Sequence, residues 1–411
     1  MFLRKLVTIF GAYGRHHQPL YAVSLMLLFW ALFDGTASFI TPLVITQNGF
    51  SKTLMGIIIG SSSVAGALFD FFLSKYLVNT HFRRVYFALL AICSIYPLVL
   101  WQAKTVWVYL VAMALWGLYY DFSNFGTFDF VSRKTQKSEH SASFGVLLVF
   151  RSLGYMLAPL IVGFVISTTV DSKPFLLMWV YLLLAITCYI VLLYAQKRHR
   201  AHFIDEKTIK PKSMLFEFSL WKHLGRQMLP ILMLTTLLNI FDAFFWTLGP
   251  LVSESYQSIH PFNGLFMTAY SFPPLVIGWF VGRITGKIGK KRTSFIAFFI
   301  GSLFLVSFAF LQNPILIIAI IFLSSCISSL AWPSLNGEYA DYVIRVPKVQ
   351  REIQSIEDFF TNAGYIVGPV IAGILADRVG NMHAFAYLGF FSAIISLLLF
   401  KMTPKKIIIR V

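Results

Sequence analysis

Charge is scarce in this chain: only 12% of its 411 residues are Asp, Glu, Lys or Arg, about half of what a soluble domain carries. With 57% hydrophobic residues and a mean hydropathy of +0.73, a water-soluble fold is excluded and an integral membrane protein is implied. Cysteine is scarce too. Cys93, Cys188 and Cys326 all fall in apolar runs, so neither a disulfide framework nor thiol redox chemistry is expected. The nine histidines lie in loops or at the edges of apolar runs, which argues against a metal site or a histidine proton relay at mid-membrane. No Gly-x-x-x-x-Gly-Lys-Ser/Thr loop occurs, so nucleotide-driven pumping has no support. No nucleophile, base and metal set appears, so the chain does not read as an enzyme and no cofactor is implied. Polar segments long enough for a separate soluble domain are missing as well.

What is present is a series of apolar runs, each of about 20 residues or more and so able to cross a ~30 Å hydrocarbon core as a helix. They fall near 19–45, 53–78, 85–103, 106–131, 141–168, 175–196, 229–252, 262–284, 293–311, 315–343, 353–376 and 384–402. The first is too long, and too polar at its centre, for a cleavable signal sequence, and reads as a retained helix. The net charge of +17 would suggest nucleic acid in a soluble protein; its distribution removes that idea. Assigning both termini and every second loop to one side places 29 of the 34 basic residues there. Lys52, Lys104, Lys173 and Arg378 fall on the other side, and Arg151 falls inside a run. This asymmetry puts both termini in the cytoplasm, in a multi-pass protein of a plasma (bacterial inner) membrane.

The runs repeat. Phe33-Asp-Gly-Thr-Ala-Ser-Phe-Ile-Thr-Pro42-Leu-Val44 matches Phe241-Asp-Ala-Phe-Phe-Trp-Thr-Leu-Gly-Pro250-Leu-Val252 at an offset of 208 residues. Gly154-Tyr-Met-Leu-Ala-Pro159-Leu-Ile-Val-Gly163 matches Gly364-Tyr-Ile-Val-Gly368-Pro369-Val-Ile-Ala-Gly373 at an offset of 210. The expected fold is an all-α membrane protein with twelve transmembrane helices in two pseudo-symmetric six-helix bundles. Residues 1–196 form the first bundle, 197–226 a basic cytoplasmic linker and 227–411 the second bundle. Attraction to anionic lipid, about 1 kcal/mol per basic residue, accounts for the linker's charge; docking of a regulatory partner is the alternative.

A carboxylate at mid-bilayer costs several kcal/mol, so it ordinarily faces a cavity or a partner. Asp34, Asp121 and Asp242 lie near the centres of the first, fourth and seventh runs. Helical spacing sets Trp30 and Ser38 beside Asp34, Gly117, Asn124 and Phe125 beside Asp121, and Asn239, Phe245 and Trp246 beside Asp242. The tenth run adds Trp332, Asn336 and Glu338. Carboxylates bordered by aromatic faces suit a cation, at ~0.5–2 kcal/mol per ring. Removal from water disfavours the charged form of an acid, so such groups also suit proton loading and release. Arg151 is expected to pair with Asp34 or Asp121, since an unpaired arginine there is costly.

Six-plus-six runs, repeated halves and a basic central loop resemble the major facilitator superfamily. Its loop pattern Gly-x-Leu-x-Asp-Arg-x-Gly-Arg-Arg begins here as Gly66-Ala-Leu-Phe-Asp70, with the basic pair late, at Arg83-Arg84. In the second half it reads Gly282-Arg-Ile-Thr-Gly286-Lys287-Ile-Gly289-Lys290-Lys291. A literal match, Gly373-Ile-Leu-Ala-Asp377-Arg378-Val-Gly380, falls on the outer side, away from the cytoplasmic gate. The Gly154–Gly163 and Gly364–Gly373 segments resemble the family's Gly/Pro pattern of helix 5, frequent in antiporters; small residues permit close helix approach and proline permits bending. The helix 4 arginine of many proton-linked members has no counterpart, and Asp121 stands in that region.

The resemblance implies a secondary transporter whose helices 1, 4, 7 and 10 line a central cavity, working by alternating access with a small-molecule substrate and with protons as coupling ion, as a monomer in the lipid bilayer. Three acids against one arginine tilt the substrate toward a cationic or amphipathic compound exported by antiport. A proton symporter for a neutral polar solute such as a sugar, held by Asn124, Asn239, Asn336 and Asn362, is the alternative. So is a non-transporting receptor or assembly factor of the same fold. Near the cytoplasmic side, Asp70, Asp129, Glu338, Asp341, Glu357 and Asp358 lie close by topology to Arg84, Arg133, Lys287, Lys290 and Arg345, and are expected to form gate ion pairs; charges snorkelling at helix ends are the other reading.

Overall fold

The computed structural model describes residues 18–76, 80–135, 140–166, 169–197, 214–256, 264–278, 280–345 and 350–403. Among them there is no strand, and long helices follow one another: α1 (Gln18–Gln47), α2 (Lys52–Tyr76), α3 (Phe82–Gln102), α4 (Val106–Lys134), α5 (His140–Val165), α6 (Ser172–Lys197) and α7 (Met214–Ser255). Then come α8, in three pieces (Leu265–Ser271, Pro273–Ile277, Val281–Ile288), α9 (Lys290–Val306), α10, in two pieces (Pro314–Ser328, Ala331–Arg345), α11 (Gln350–Val379) and α12 (Asn381–Met402). Eleven of these are long and apolar enough to cross a membrane, and the bent α8 makes a twelfth span.

Three features depart from the sequence reading. Helix α7 begins at Met214, so the second part of the expected 197–226 linker is helical and continuous with the span; residues 198–213 and both chain ends lie outside the described residues. Helix α8 breaks where Pro273 and Pro274 remove two backbone donors. The Tyr270 carbonyl, whose partner would have been the N–H of residue 274, instead accepts the Ser325 hydroxyl of α10 at 2.5 Å. Helix α10 breaks at Ser329-Leu330, four and three residues before Pro333, and the Leu330 N–H tightens onto the Ile327 carbonyl. Ser325→Ala should leave the Tyr270 carbonyl unpaired and cost about 1–3 kcal/mol, read as a lowered thermal midpoint of the purified protein.

Glycine sets how closely the helices approach. Helix α5 packs on α1, and α11 packs on α7. Gly154 of α5 rests on Ala31, the Leu28 carbonyl and the Leu32 amide; Gly364 of α11 rests on Asn239, the Thr236 carbonyl and the Ile240 amide. These are the same three positions, 208 residues apart. One turn on, Gly35 of α1 faces Ala158 of α5, whereas Ala243 of α7 faces Gly368 of α11, so the small and smaller partners have changed places. The first six helices meet the last six through α2 against α11, α5 against α8, and α1 beside α7. Gly56 of α2 lies on the Pro369 carbonyl and Gly264, just before α8, on the Pro159 carbonyl, so that a Cβ at either would overlap backbone. These two crossings correspond under the same repeat, with the halves exchanged.

Candidate functional site

Between the two sets of helices lies a cavity of about 960 Å³, walled by α1, α2, α4 and α5 on one side and by α7, α8, α10 and α11 on the other. The expected lining by helices 1, 4, 7 and 10 holds, and Asp34, Asp121 and Asp242 all reach the wall. Asp358 of α11 joins them; by sequence it had been placed with the gate residues. Asp358, Thr361, Asn362 and Tyr365 all line the cavity, as their i, i+3, i+4, i+7 spacing allows. None of the described lining residues is Lys, Arg or His.

Two of the acids sit in matching cages. Asp34 is 1% exposed and accepts the hydroxyls of Tyr119 at 2.5 Å and Tyr155 at 2.6 Å, one on each oxygen. Asp242 accepts those of Tyr270 at 2.6 Å and Tyr365 at 2.7 Å, again one on each oxygen. Tyr155 and Tyr365 are the residues that follow Gly154 and Gly364 in the repeat, so the cage is duplicated along with the helix crossing that positions it. The second donors are not related in this way: Tyr119 comes from α4 and Tyr270 from α8. Tyr270 is further fixed by Phe245, whose ring stacks on it at 3.9 Å. Sequence reading missed all four tyrosines. Two of them stand inside the repeated Gly-Tyr dipeptides, where attention to glycine and proline passed over the hydroxyl.

Arg151 does not make the expected pair with Asp34. Its Nη1 donates to Asn124 Oδ1 at 3.0 Å, and its guanidinium carbon lies 5.0 Å from the Trp30 ring centroid, 4.8 Å from that of Tyr120 and 5.7 Å from that of Tyr155. Three aromatic faces and an amide oxygen thus stabilise the cation, while the tyrosine hydroxyls occupy both Asp34 oxygens. Tyr155 touches both groups, through its hydroxyl on the acid and its face on the guanidinium. Asp121 lies on α4 against Gly66 of α2.

The remaining candidates divide. Asn124, Asn239, Trp246 and Trp332 line the cavity, and the Trp246 ring meets that of Tyr155 at 5.9 Å across the boundary between the two sets of helices. Asn239 spends its amide nitrogen on the Thr235 carbonyl at 2.8 Å. Trp30 is fully buried behind the wall, because its helix face is taken up by packing on Tyr119, Tyr120 and Tyr155. Asn336 is exposed on α10 and is not part of the lining.

Described members of the expected gate pair with near neighbours of the same half. Asp129 pairs with Arg133 one turn away at 2.5 Å and accepts the Phe82 amide at the start of α3. Lys290 pairs with Asp341 at 2.7 Å and reaches the Gly337 carbonyl, linking α9 to α10. Glu338 accepts the Tyr342 hydroxyl at 2.8 Å. Arg84 and Lys287 are exposed, and the Asp70 side chain lies outside the described residues. Each of these described pairs stays within one set of six helices. Polar contacts between the sets occur at the other end, where Gln47 donates to Glu254 at 3.0 Å and Asp377 accepts from Lys52 and Thr53. No group of three or more metal-ligating side chains occurs among the described residues.

A family model described as the Major Facilitator Superfamily matches residues 23–344 and 232–408. Among solved structures, the nucleoside transporter NupG superimposes with a TM-score of 0.72 at 13% identity, covering 95% of this chain and 100% of its own. A bacterial homologue of the human lysosomal transporter Spinster, in an inward-facing and unoccupied conformation, gives 0.71 at 10% identity, with 95% and 97% covered. A peptide transporter, POT, in complex with sulfate gives 0.72 at 12% identity, with 94% of each chain covered. No curated protein matches the sequence.

Proposed function

Because the chain belongs to the Major Facilitator Superfamily, a family of membrane transporters, we propose that it exchanges small organic cations, amphipathic amines among them, for protons by alternating access of the central cavity. The observation that carries this reading is the wall of four carboxylates with no basic side chain among its described residues. Such a cavity attracts cations and repels anions, and Trp246, Trp332, Phe125 and Tyr120 give an amine's hydrocarbon body aromatic surface. Asp34 and Asp242 supply the coupling. Tyrosine hydroxyls stabilise each carboxylate's charge while burial opposes it, so each acid calls for a positive partner, a proton at Asp34 and a substrate ammonium at Asp242. Antiport follows if the cavity changes its access with one of these cations bound but not with both.

In this proposal residues 1–196 and 227–411 rock as two six-helix bodies about the glycine crossings of α2 with α11 and of α5 with α8. We take both termini to lie in the cytoplasm of a bacterial inner membrane, as the distribution of basic residues supports; the end of the cavity away from the Asp377 contacts then faces the cytoplasm, from which export loads. The sugar alternative is weaker. Of its four asparagines, Asn124 is engaged by Arg151, Asn239 donates to backbone, and Asn336 lies off the cavity.

The test is flux in liposomes holding the purified protein and a pH-sensitive dye, under an inward-acid gradient. Hydrophobic amines should drive proton efflux in a saturable way, with sugars and carboxylates inert. Proton movement driven by a sugar and by no amine would overturn the cation reading in favour of symport. Saturable binding of an amine without any flux would favour a receptor.

A further inference from the structure

The sequence contains one literal copy of the family's Gly-x-Leu-x-Asp-Arg-x-Gly loop pattern in an unexpected place, at Gly373–Gly380, and the structure gives its aspartate a partner. Asp377, near the end of α11, accepts the Lys52 amide at 3.1 Å on one oxygen, and the Thr53 amide at 2.8 Å and the Thr53 hydroxyl at 2.7 Å on the other. Lys52 and Thr53 are the first residues of α2. The first N–H groups of any helix lack an intrahelical acceptor, and a carboxylate there also gains from the helix dipole. Ser51, the residue before the helix, accepts the Leu54 amide at 3.2 Å; the Lys52 and Thr53 amides are taken instead by Asp377 of the other half, 324 residues from Thr53. Lys52 Nζ adds a bond to Asn381 Oδ1 at 2.7 Å, at the start of α12.

The seam behind this cap is close. Gly373 lies on the Lys52 carbonyl, Gly56 on that of Pro369, and Gly60 on that of Ile366. Separating α2 from α11 at this end therefore removes the acceptor of two backbone donors in one step.

We propose that Asp377 is a latch which holds this end of the cavity shut by capping α2 in trans, and whose release is part of opening there. This inference rests on the alternating-access reading given above but not on the identity of the solute, and its test uses no solute. It gives Asp377 a conformational role and no contact with the cargo. The latch is all-or-none in character: two of its three donors are backbone amides of the helix and cannot follow a retreating acceptor as a long side chain would.

Spin labels at Lys104→Cys and Gln312→Cys, in the exposed turns between α3 and α4 and between α9 and α10, report the width of this end, in a background with Cys93, Cys188 and Cys326 replaced. Pulsed dipolar spectroscopy in nanodiscs should give mainly a short distance for the unmodified latch. Asp377→Ala should raise the ratio of long to short distances about tenfold, the size of a lost helix cap. Asp377→Asn, which keeps the shape but presents an amide nitrogen to one set of donors, should shift it in the same direction, and Thr53→Ala less. A ratio within twofold of the starting protein in both Asp377 variants would overturn the latch. Absence of amine transport together with the shifted distances would count against the proposed substrate and leave the latch standing.

Discussion

Asp242→Asn is expected to abolish high-affinity amine binding, while Asp34→Asn keeps the binding and loses the proton flux. The two acids have the same tyrosine cage but unequal surroundings. Asp34 is 1% exposed, and Tyr155, one of its two donors, carries the Arg151 guanidinium on its ring face. A bulky second cation meets both steric closure and a like charge there, whereas a proton meets neither obstacle to the same degree. Asp242 is partly exposed to the cavity, no cation–π contact sits on its tyrosines among the described residues, and Trp246 stands one turn along the same helix. Asparagine preserves shape and can still accept one hydroxyl. What is lost is the charge opposite the ammonium, which at a desolvated pair is worth about 2–5 kcal/mol, or roughly 30- to several-thousand-fold in affinity. Titration calorimetry of an amine against each variant, with dye-reported proton flux beside it, separates the roles. Binding lost in Asp34→Asn and retained in Asp242→Asn would reverse the assignment, and equal losses would remove it.

The second large effect concerns packing. Gly35→Ala places a methyl 2.7 Å from the Ala158 Cβ, closer than two carbons fixed to helix backbones can settle. The roughly 1 kcal/mol of helix propensity that alanine gains over glycine is outweighed, since overpacking a tight crossing costs about 1–3 kcal/mol and shifts α1, which carries Asp34. Ala158→Gly alone loses propensity and leaves a gap. Combined, the two substitutions exchange one glycine and one alanine, so the propensity terms cancel and the clash disappears. The double variant should therefore unfold within a degree or two of the parent, while each single variant unfolds several degrees lower. Ala243 and Gly368 already show that this crossing works with the alanine on the other helix. Additive losses in the double variant would mean that the contact is not what sets the α1–α5 distance.

Much of this architecture is legible in the sequence because bilayer physics leaves few solutions. Without water to satisfy backbone groups, apolar runs must be helices, and the basic residues mark their alternate ends. The repeat showed which helices correspond, and mid-span acids marked the cavity. What was not legible depends on side chains meeting across helices. Nothing local shows that Tyr119 and Tyr155 converge on Asp34, or that Arg151 finds aromatic faces instead of an acid. The break in α8 at Ser271-Phe-Pro-Pro274 was passed over inside an apolar run read as one span, and the break in α10 rests on a single proline, Pro333, which many helices absorb. Asp377 was read as lying on the side away from the expected gate, and its partner lay in a helix over 300 residues earlier.

The broken α8 ties together parts of the bundle that helical geometry would keep apart. In an unbroken helix the Tyr270 carbonyl would be committed to its own next turn, and α10 could slide past without effect. With Pro274 in place, that carbonyl is held by Ser325, and the same tyrosine's hydroxyl is one of the two donors on Asp242. A tilt of α10 thus pulls on residue 270 and, through it, on the hydration and charge of an acid in α7. The prolines have turned a self-contained rod into a crank, so that the posture of one helix and the ionic state of another are set together.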